Sequence, residues 1–115
     1  MITLEQLEEM FSDIAAKGRW DMTKPMLWGY FFTDSSPHKL NAVAPELEQL
    51  GYGLVDVFEA GVDPGTEPYY FLHVEKVEVH SPASLHARNQ DFYEFASKHG
   101  LQSYDGMDVG LPAET

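Results

Sequence analysis

The sequence predicts an α+β fold in which two strand–helix–strand units form one four-stranded antiparallel sheet, with an extra helix at the N-terminus. Three observations predict this fold. Hydrophobic residues make up 43% of the 115 residues, which is ordinary for a globular chain. Two apolar segments typical of strands are each followed by a Ser-Pro pair, which favours the start of a helix. Each of these helical segments ends at a glycine, and another strand-like segment follows it.

The first predicted element is a helix over residues 3–17. Thr3 and Gln6 have the spacing of a capping box, and Gly18 is suited to end the helix. Apolar residues recur at helical spacing along one side of it, namely Leu4, Leu7, Phe11 and Ile14. An amphipathic helix must bury such a side, so we expect it to pack on the uncovered face of the sheet or along a sheet edge.

The first strand–helix–strand unit spans residues 26–60. Residues 25–33 are apolar on both faces, which predicts a central strand. The helix that begins at Ser36 and ends at Gly51 has a predicted buried stripe of Leu40, Val43, Leu47 and Leu50. Because Pro45 removes one backbone hydrogen bond inside this helix, we expect a kink or a restart there. The unit closes with a strand over residues 52–60.

The second unit spans residues 69–109 and follows a turn-rich connector over residues 61–68, which predicts a hairpin. In the strand over residues 69–80 the apolar positions change parity, which predicts a bulge near Glu75 and Lys76. The next helix begins at Ser81 and ends at Gly100. Its predicted core residues are Leu85, Phe92, Phe95 and Ala96. A short last strand is predicted over residues 102–109.

Together the two units give β-α-β-β-α-β, the ferredoxin-like arrangement, with strand order 4-1-3-2 and helices on one face. The prediction is one domain over residues 1–115, with the extra helix in residues 1–18 and the ferredoxin-like core in residues 25–110. The uncovered face carries either Trp28, Tyr30 and Phe32 or the alternate set of Leu27 and Phe31. Large aromatic side chains are usually buried, so we expect the first set to be core.

The charge of the chain points to the class of partner. Nineteen acidic residues face seven basic ones, which gives a formal net charge of −12. Such a field repels phosphates and anionic membranes, so we expect no direct nucleic-acid binding and no membrane contact, but a basic protein partner. The chain has no cysteine, no apparent signal peptide and no apolar stretch long enough to span a membrane. These features fit a soluble protein of the reducing cytoplasm.

Patterns typical of enzymes are missing from the sequence. No serine lies in a nucleophile elbow, and the two glycines Gly51 and Gly53 lack the rest of a dinucleotide fingerprint. A bulge between His73 and His80 would place both on one face, but two ligands without a third do not define a metal site. We therefore predict no catalytic residues, no metal and no cofactor.

The residues best placed to bind a basic partner are carboxylates. Four lie on the polar side of the first helix and two lie in or beside the last strand: Glu5, Glu8, Glu9, Asp13, Asp105 and Asp108. Exposed charges of this kind attract a basic surface and are screened by salt. We predict that these six residues form the partner-binding set.

Three segments carry a resemblance to a known family. They are Trp28 to Phe32, then Leu47 to Tyr52, then Tyr104, Asp105 and Gly106. In their order and spacing they resemble the regulators of ribonuclease E activity B, the RraB family. The resemblance implies a ferredoxin-like domain of an acidic bacterial cytoplasmic protein that binds the endoribonuclease and restrains RNA cleavage. For the three residues at the C-terminal end we expect a structural role, because a glycine in a strand usually marks a bulge, a bend or a close backbone contact.

The leading interpretation is a non-catalytic regulator that binds a basic surface of a ribonuclease or of its scaffold. A second interpretation is a ligand-sensing or dimerising domain that uses the uncovered sheet face, with a homodimer as the expected form. A third is an acidic immunity-type inhibitor of a nuclease, since the acidity fits that role as well.

Overall fold

In the computed structural model, which describes residues 1–18 and 20–112, three helices cover one face of a four-stranded sheet. The elements are α1 (Leu4–Lys17), β1 (Met26–Asp34), α2 (Pro37–Gln49), β2 (Gly53–Glu59), β3 (Tyr70–Glu78), α3 (Pro82–Lys98) and β4 (Ser103–Gly110). The strand order is β2-β3-β1-β4, and every pairing is antiparallel. The predicted ferredoxin-like order, with the first and third strands central, is confirmed.

The core lies between the sheet and the helices. Successive side chains of a strand point to opposite faces, and on β1 the residues facing the helices are Met26, Trp28, Tyr30 and Phe32. Tyr30 and Phe32 are fully buried, and the ring of Phe92 from α3 lies 5.0 Å and 5.2 Å from theirs. The prediction that these aromatics are core is confirmed. Each such side chain contributes about 1.5–3 kcal/mol through the apolar surface that it removes from water.

Helix α1 has the predicted ends but not the predicted position. Thr3 and Gln6 form the capping box, and Gly18 closes the helix in the left-handed conformation. The helix joins the other helices beside α3, where the ring of Phe11 stacks on Trp28 at 6.0 Å. The expectation that α1 packs on the uncovered face or along an edge is wrong. Trp28 and α3 offer an apolar site for its stripe, whereas the other sheet face carries carboxylates that would repel its acidic residues.

The predicted bulge in the third strand is absent from β3. Its register with β1 runs unbroken from Met26 opposite Glu78 to Asp34 opposite Tyr70. The change of parity reflects a change of surroundings, because the helix-covered side of β3 ends in two charged residues that find polar partners there. Bulges lie instead in β2, between Leu54 and Asp56, and in β4 at Asp105.

Helix α2 passes through Pro45 as one continuous helix and does not restart there. Pro45 faces solvent, where water can bind the carbonyl that the proline leaves without an amide donor. The predicted buried stripe is correct for Leu40, Val43 and Leu47. It is wrong for Leu50, which is 60% exposed because the helix ends at Gln49 and the chain then reverses.

Candidate functional site

The sheet face turned away from the helices is the candidate site, and we call it the open face. Its residues follow from the strand registers, since residues paired across two strands point to the same side. They are Leu27, Gly29 and Phe31 of β1, Phe71, His73, Glu75 and Val77 of β3, Asp56 and Phe58 of β2, and Asp105 and Asp108 of β4.

Three phenylalanines form the centre of the open face. The rings of Phe58 and Phe71 stack at 5.4 Å, and Phe31 meets Phe71 edge-on at 6.3 Å. Together with Asp105 they border a shallow depression of about 350 Å³. Phe58 is 38% exposed, so water contacts this aromatic surface. Such rings can take an apolar side chain or the face of a cation.

A second depression, which we call the Gly29 depression, lies beside the phenylalanines. It measures about 220 Å³, and its walls include Leu27, His73, Glu75 and Asp108. Gly29 forms part of its floor, and the side chains of Asp108 and His73 lie over this residue, since a Cβ built there would clash with Asp108 Oδ1 and lie 2.7 Å from His73 Nε2. The His73 ring is held in place by Phe31, on which it stacks at 4.3 Å.

The charge of the open face is of one sign. Its four carboxylates are Asp56, Glu75, Asp105 and Asp108, and its strand residues include no lysine or arginine. Within residues 1–18 and 20–112, no hydrogen bond or ion pair holds the carboxylates of Glu75, Asp105 and Asp108. These three carboxylates therefore keep their capacity to accept hydrogen bonds from a partner.

The six predicted partner-binding residues fall into two groups. Asp105 and Asp108 lie on the open face, each beside one of its depressions. The other four, Glu5, Glu8, Glu9 and Asp13, are exposed on α1 in the helix layer. The fold thus places the two groups in different layers, with Asp105 beside the phenylalanines and Asp108 beside His73.

The family-motif residues of β4 divide in the same way. Tyr104 is buried and its hydroxyl donates a hydrogen bond to Asn89 Oδ1 of α3 at 2.7 Å. Gly106 follows the bulge with a φ of 128°, a conformation that favours glycine, and a Cβ there would lie 3.3 Å from Ile2 Cδ1. Tyr104 thus joins β4 to the helix layer, while Gly106 and the exposed side chain of Asp105 border the aromatic depression.

Sequence reasoning missed a cluster of charged groups on the helix-covered side, at the end of β3. Glu78 Oε2 accepts hydrogen bonds from the Tyr30 hydroxyl and from Arg88 Nη1, each at 2.7 Å, and lies 3.0 Å from His80 Nε2. The other ring nitrogen of His80 lies 2.9 Å from Ser84 Oγ. The change of parity in the third strand was a signal for this cluster, because such a change can arise either from a bulge or from polar residues on the covered face.

Burial sets the charge state of this cluster. Burial lowers the pKa of His80, so its ring is neutral near neutral pH. Burial also opposes ionisation of Glu78, but the hydrogen bonds from Arg88, Tyr30 and His80 outweigh it and lower the pKa of that carboxyl. The partly buried carboxylate of Glu78 is therefore ionised and paired with Arg88, and the groups of the cluster bond to one another.

The two strand histidines do not share a face. His73 lies on the open face, whereas His80 is buried on the helix-covered side with its ring edge-on to Trp28 at 5.2 Å. The conditional prediction that a bulge would bring them together is wrong, because β3 has no bulge. In the part of the chain that the structure describes, no three histidine, aspartate or glutamate residues are grouped so that they could hold a metal ion.

Comparison with known proteins identifies one match. A family model described as RraB, regulator of ribonuclease activity B, matches residues 4–109. No curated protein and no solved structure matches the chain significantly. No helix within the described ranges is long and apolar enough to cross a membrane.

Proposed function

The chain belongs to the RraB family of regulators of ribonuclease activity, and we propose that it restrains a ribonuclease by binding it, without catalysing a reaction. The proposed contact is a basic surface of the ribonuclease or of the scaffold that carries it. The observation that supports this proposal best is the set of exposed carboxylates on α1 and on the open face. We also propose that the protein acts in the cytoplasm, where a chain without cysteine loses nothing to reduction.

The electrostatics favour a protein target over an RNA target. With a net charge of −12, the chain repels a polyphosphate and attracts a basic surface over about a Debye length, roughly 8–10 Å in ordinary buffers. Charge complementarity of this kind speeds association and selects the partner. Inhibition by sequestering the RNA substrate would require the opposite charge.

The test is an RNA cleavage assay with purified components. Adding the protein to its cognate ribonuclease should slow cleavage, and the inhibition should weaken as salt rises from about 0.05 M to about 0.5 M, because exposed charges are screened. A gel shift with the labelled RNA and the protein alone is the control and should show no complex. Inhibition that does not change with salt would contradict the electrostatic part, and a shifted RNA band would contradict the choice of target.

A second candidate function is self-association or small-ligand binding through the open face. It is favoured by the exposure of apolar side chains there, with Phe58 38% and Val77 52% exposed. Sedimentation at low and high salt separates the two functions. A dimer that persists at high salt supports the second candidate, whereas a monomer that binds the ribonuclease supports the first.

A further inference from the structure

We propose that the open face is the docking surface and that its occupant is an arginine-bearing basic segment of the partner protein, with one guanidinium group in the Gly29 depression. This inference rests on the proposed function and adds to it a surface and a contact chemistry. Four observations support it: an uncovered face, its aromatic centre, its one-signed charge and the Gly29 depression, whose walls include two of its carboxylates.

The open face has the composition of a contact surface. The three helices lie on the other side of the sheet, so Phe31, Phe58 and Phe71 have no covering layer in the part of the chain described. Exposed aromatic residues on a rigid sheet lose little conformational entropy when they bind, which is why such residues dominate many interfaces. The sheet register also keeps the carboxylates at set positions around the rings.

The charge of this face argues against a second copy of the chain and against RNA. In a symmetric dimer the open faces of the two copies would be in contact, so Glu75, Asp105 and Asp108 would each approach the carboxylates of the other copy. RNA bases could stack on the phenylalanines, but the phosphates would meet only negative charge. A basic protein segment can pack its side chains on the rings and form ion pairs with the carboxylates.

The Gly29 depression favours arginine over lysine. A planar guanidinium can bond one carboxylate through two parallel N–H groups and can stack on an aromatic ring. Asp108 and Glu75 supply the carboxylates, and the His73 ring, held by Phe31, supplies the flat surface. A lysine ammonium is a compact charge that has no flat face to place against the ring.

The first experiment compares two triple variants with the same change in net charge. Glu75→Gln, Asp105→Asn and Asp108→Asn neutralise the open face, whereas Glu48→Gln, Asp91→Asn and Glu94→Gln neutralise exposed acids of the helix layer. Affinity is measured for the ribonuclease and for a short synthetic peptide in which arginine alternates with serine. The open-face variant should bind both at least about tenfold more weakly, and the helix-layer variant less than about threefold. Equal losses would overturn the proposal.

The second experiment changes the shape of the depression. In Gly29→Ala the new methyl group overlaps the side chains of Asp108 and His73, so both must move from their positions in its wall. The contacts are with side chains and not with backbone, so we expect the sheet to keep its fold. The wild type should bind the arginine peptide more tightly than a matched lysine peptide, and this preference should disappear in the variant. Thermal unfolding of the variant checks its fold. A preference for arginine that survives in a folded Gly29→Ala protein would overturn the guanidinium site.

The outcomes separate this inference from the proposed function. If the wild type neither binds nor inhibits the ribonuclease, the proposed function fails and the docking proposal fails with it. If the wild type inhibits and the open-face variant inhibits equally well, only the docking proposal fails. A wild-type dimer that becomes monomeric when Phe58 is changed to Ser would also overturn it, because a second copy would then be the occupant.

Discussion

The two faces of the sheet carry aromatic residues on the same strands but use them differently. On β1, Tyr30 and Phe32 are fully buried under the helices, while Phe31 between them points to the open face. Across the open face Phe58 and Val77 are 38% and 52% exposed. An aromatic residue in a strand therefore stabilises the fold most where a second layer covers it, and elsewhere keeps part of its surface available to another molecule.

The polar groups of the two faces also differ, in whether they have bonding partners within the protein. On the helix-covered side, Glu78 is surrounded by Tyr30, His80 and Arg88, which satisfy its charge within the protein. On the open face Glu75, Asp105 and Asp108 have no such partners among the described residues. The first arrangement holds a helix to a strand, and the second leaves carboxylates available to another molecule.

The largest expected effect is the loss of stability when a residue of the helix-covered face is replaced. Phe32→Ala should lower the free energy of unfolding by about 3–5 kcal/mol, because it removes a fully buried ring and leaves a cavity. Phe58→Ala on the open face should lower it by less than about 1 kcal/mol and should instead weaken ribonuclease binding. Urea unfolding of both variants gives the measurement. Similar losses of stability would remove the distinction between the two faces.

The next effect concerns the charged cluster. Arg88→Met keeps most of the side-chain volume but leaves the Glu78 carboxylate without its charged donor. We expect a loss of about 1–3 kcal/mol in stability, since a partly buried carboxylate that loses a partner remains desolvated. The matched variant is Glu78→Gln combined with Arg88→Met, which removes both charges. It should recover part of the loss, and a double variant less stable than Arg88→Met would contradict this interpretation.

A smaller effect is the pH dependence of the same cluster. The pKa of His80 is below its ordinary value of 6.5 in the folded protein, so the unfolded chain takes up the proton first as pH falls. Stability from this group is therefore complete above about pH 6.5 and is lost as pH falls through the lower, folded-state pKa. The lowered pKa of Glu78 adds a loss in the same direction below about its ordinary 4.5.

Thermal unfolding from about pH 8 to about pH 5 measures this effect. The melting temperature of the wild type should fall on the acid side of this range, and the fall should be shallower in His80→Gln. Identical slopes in wild type and His80→Gln would show that His80 does not cause the acid destabilisation.

The smallest expected effect concerns the acidic residues of α1. Neutralising Glu5, Glu8, Glu9 and Asp13 should weaken ribonuclease binding by less than about threefold, mainly through slower association, because α1 lies in the other layer from the proposed contact. Surface plasmon resonance separates the two rates. A larger loss than that of the open-face triple variant, seen in the dissociation rate, would move the contact from the open face to α1.

Much of the fold could be predicted because its signals are local. Thr3, Ser36 and Ser81 each accept a hydrogen bond from a backbone amide at the start of a helix, as their positions in the sequence indicate. The hydrophobic run of β1 placed that strand in the centre of the sheet. The prediction of a bulge in β3 failed because it depended on neighbours distant in sequence, since Glu78 finds Arg88 and Tyr30 only in the folded chain.

The candidate site was predictable only in outline. The sequence indicated a face carrying Leu27 and Phe31 and a set of acidic residues that includes Asp105 and Asp108. It did not indicate the Gly29 depression, because the walls of that depression include Asp108 and His73, which come from two other strands. The sequence also did not distinguish the acidic residues of β4 from those of α1, because the two groups differ in their position in the fold and not in residue type.

By itself, then, the sequence determined the order of the elements, the order of the strands, the acidity and the family. The order of the elements follows from hydrophobic periodicity and helix caps, which act between residues close in the chain, and the acidity follows from composition. The order of the strands follows from the pairing of two strand–helix–strand units, and the family from the resemblance of three segments. The tertiary structure alone decided that α1 joins the helix layer and leaves the open face uncovered. The physical reason is that the apolar stripe of α1 meets apolar side chains beside Trp28 and α3. On the open face, the carboxylates of α1 would instead approach the carboxylates of the sheet.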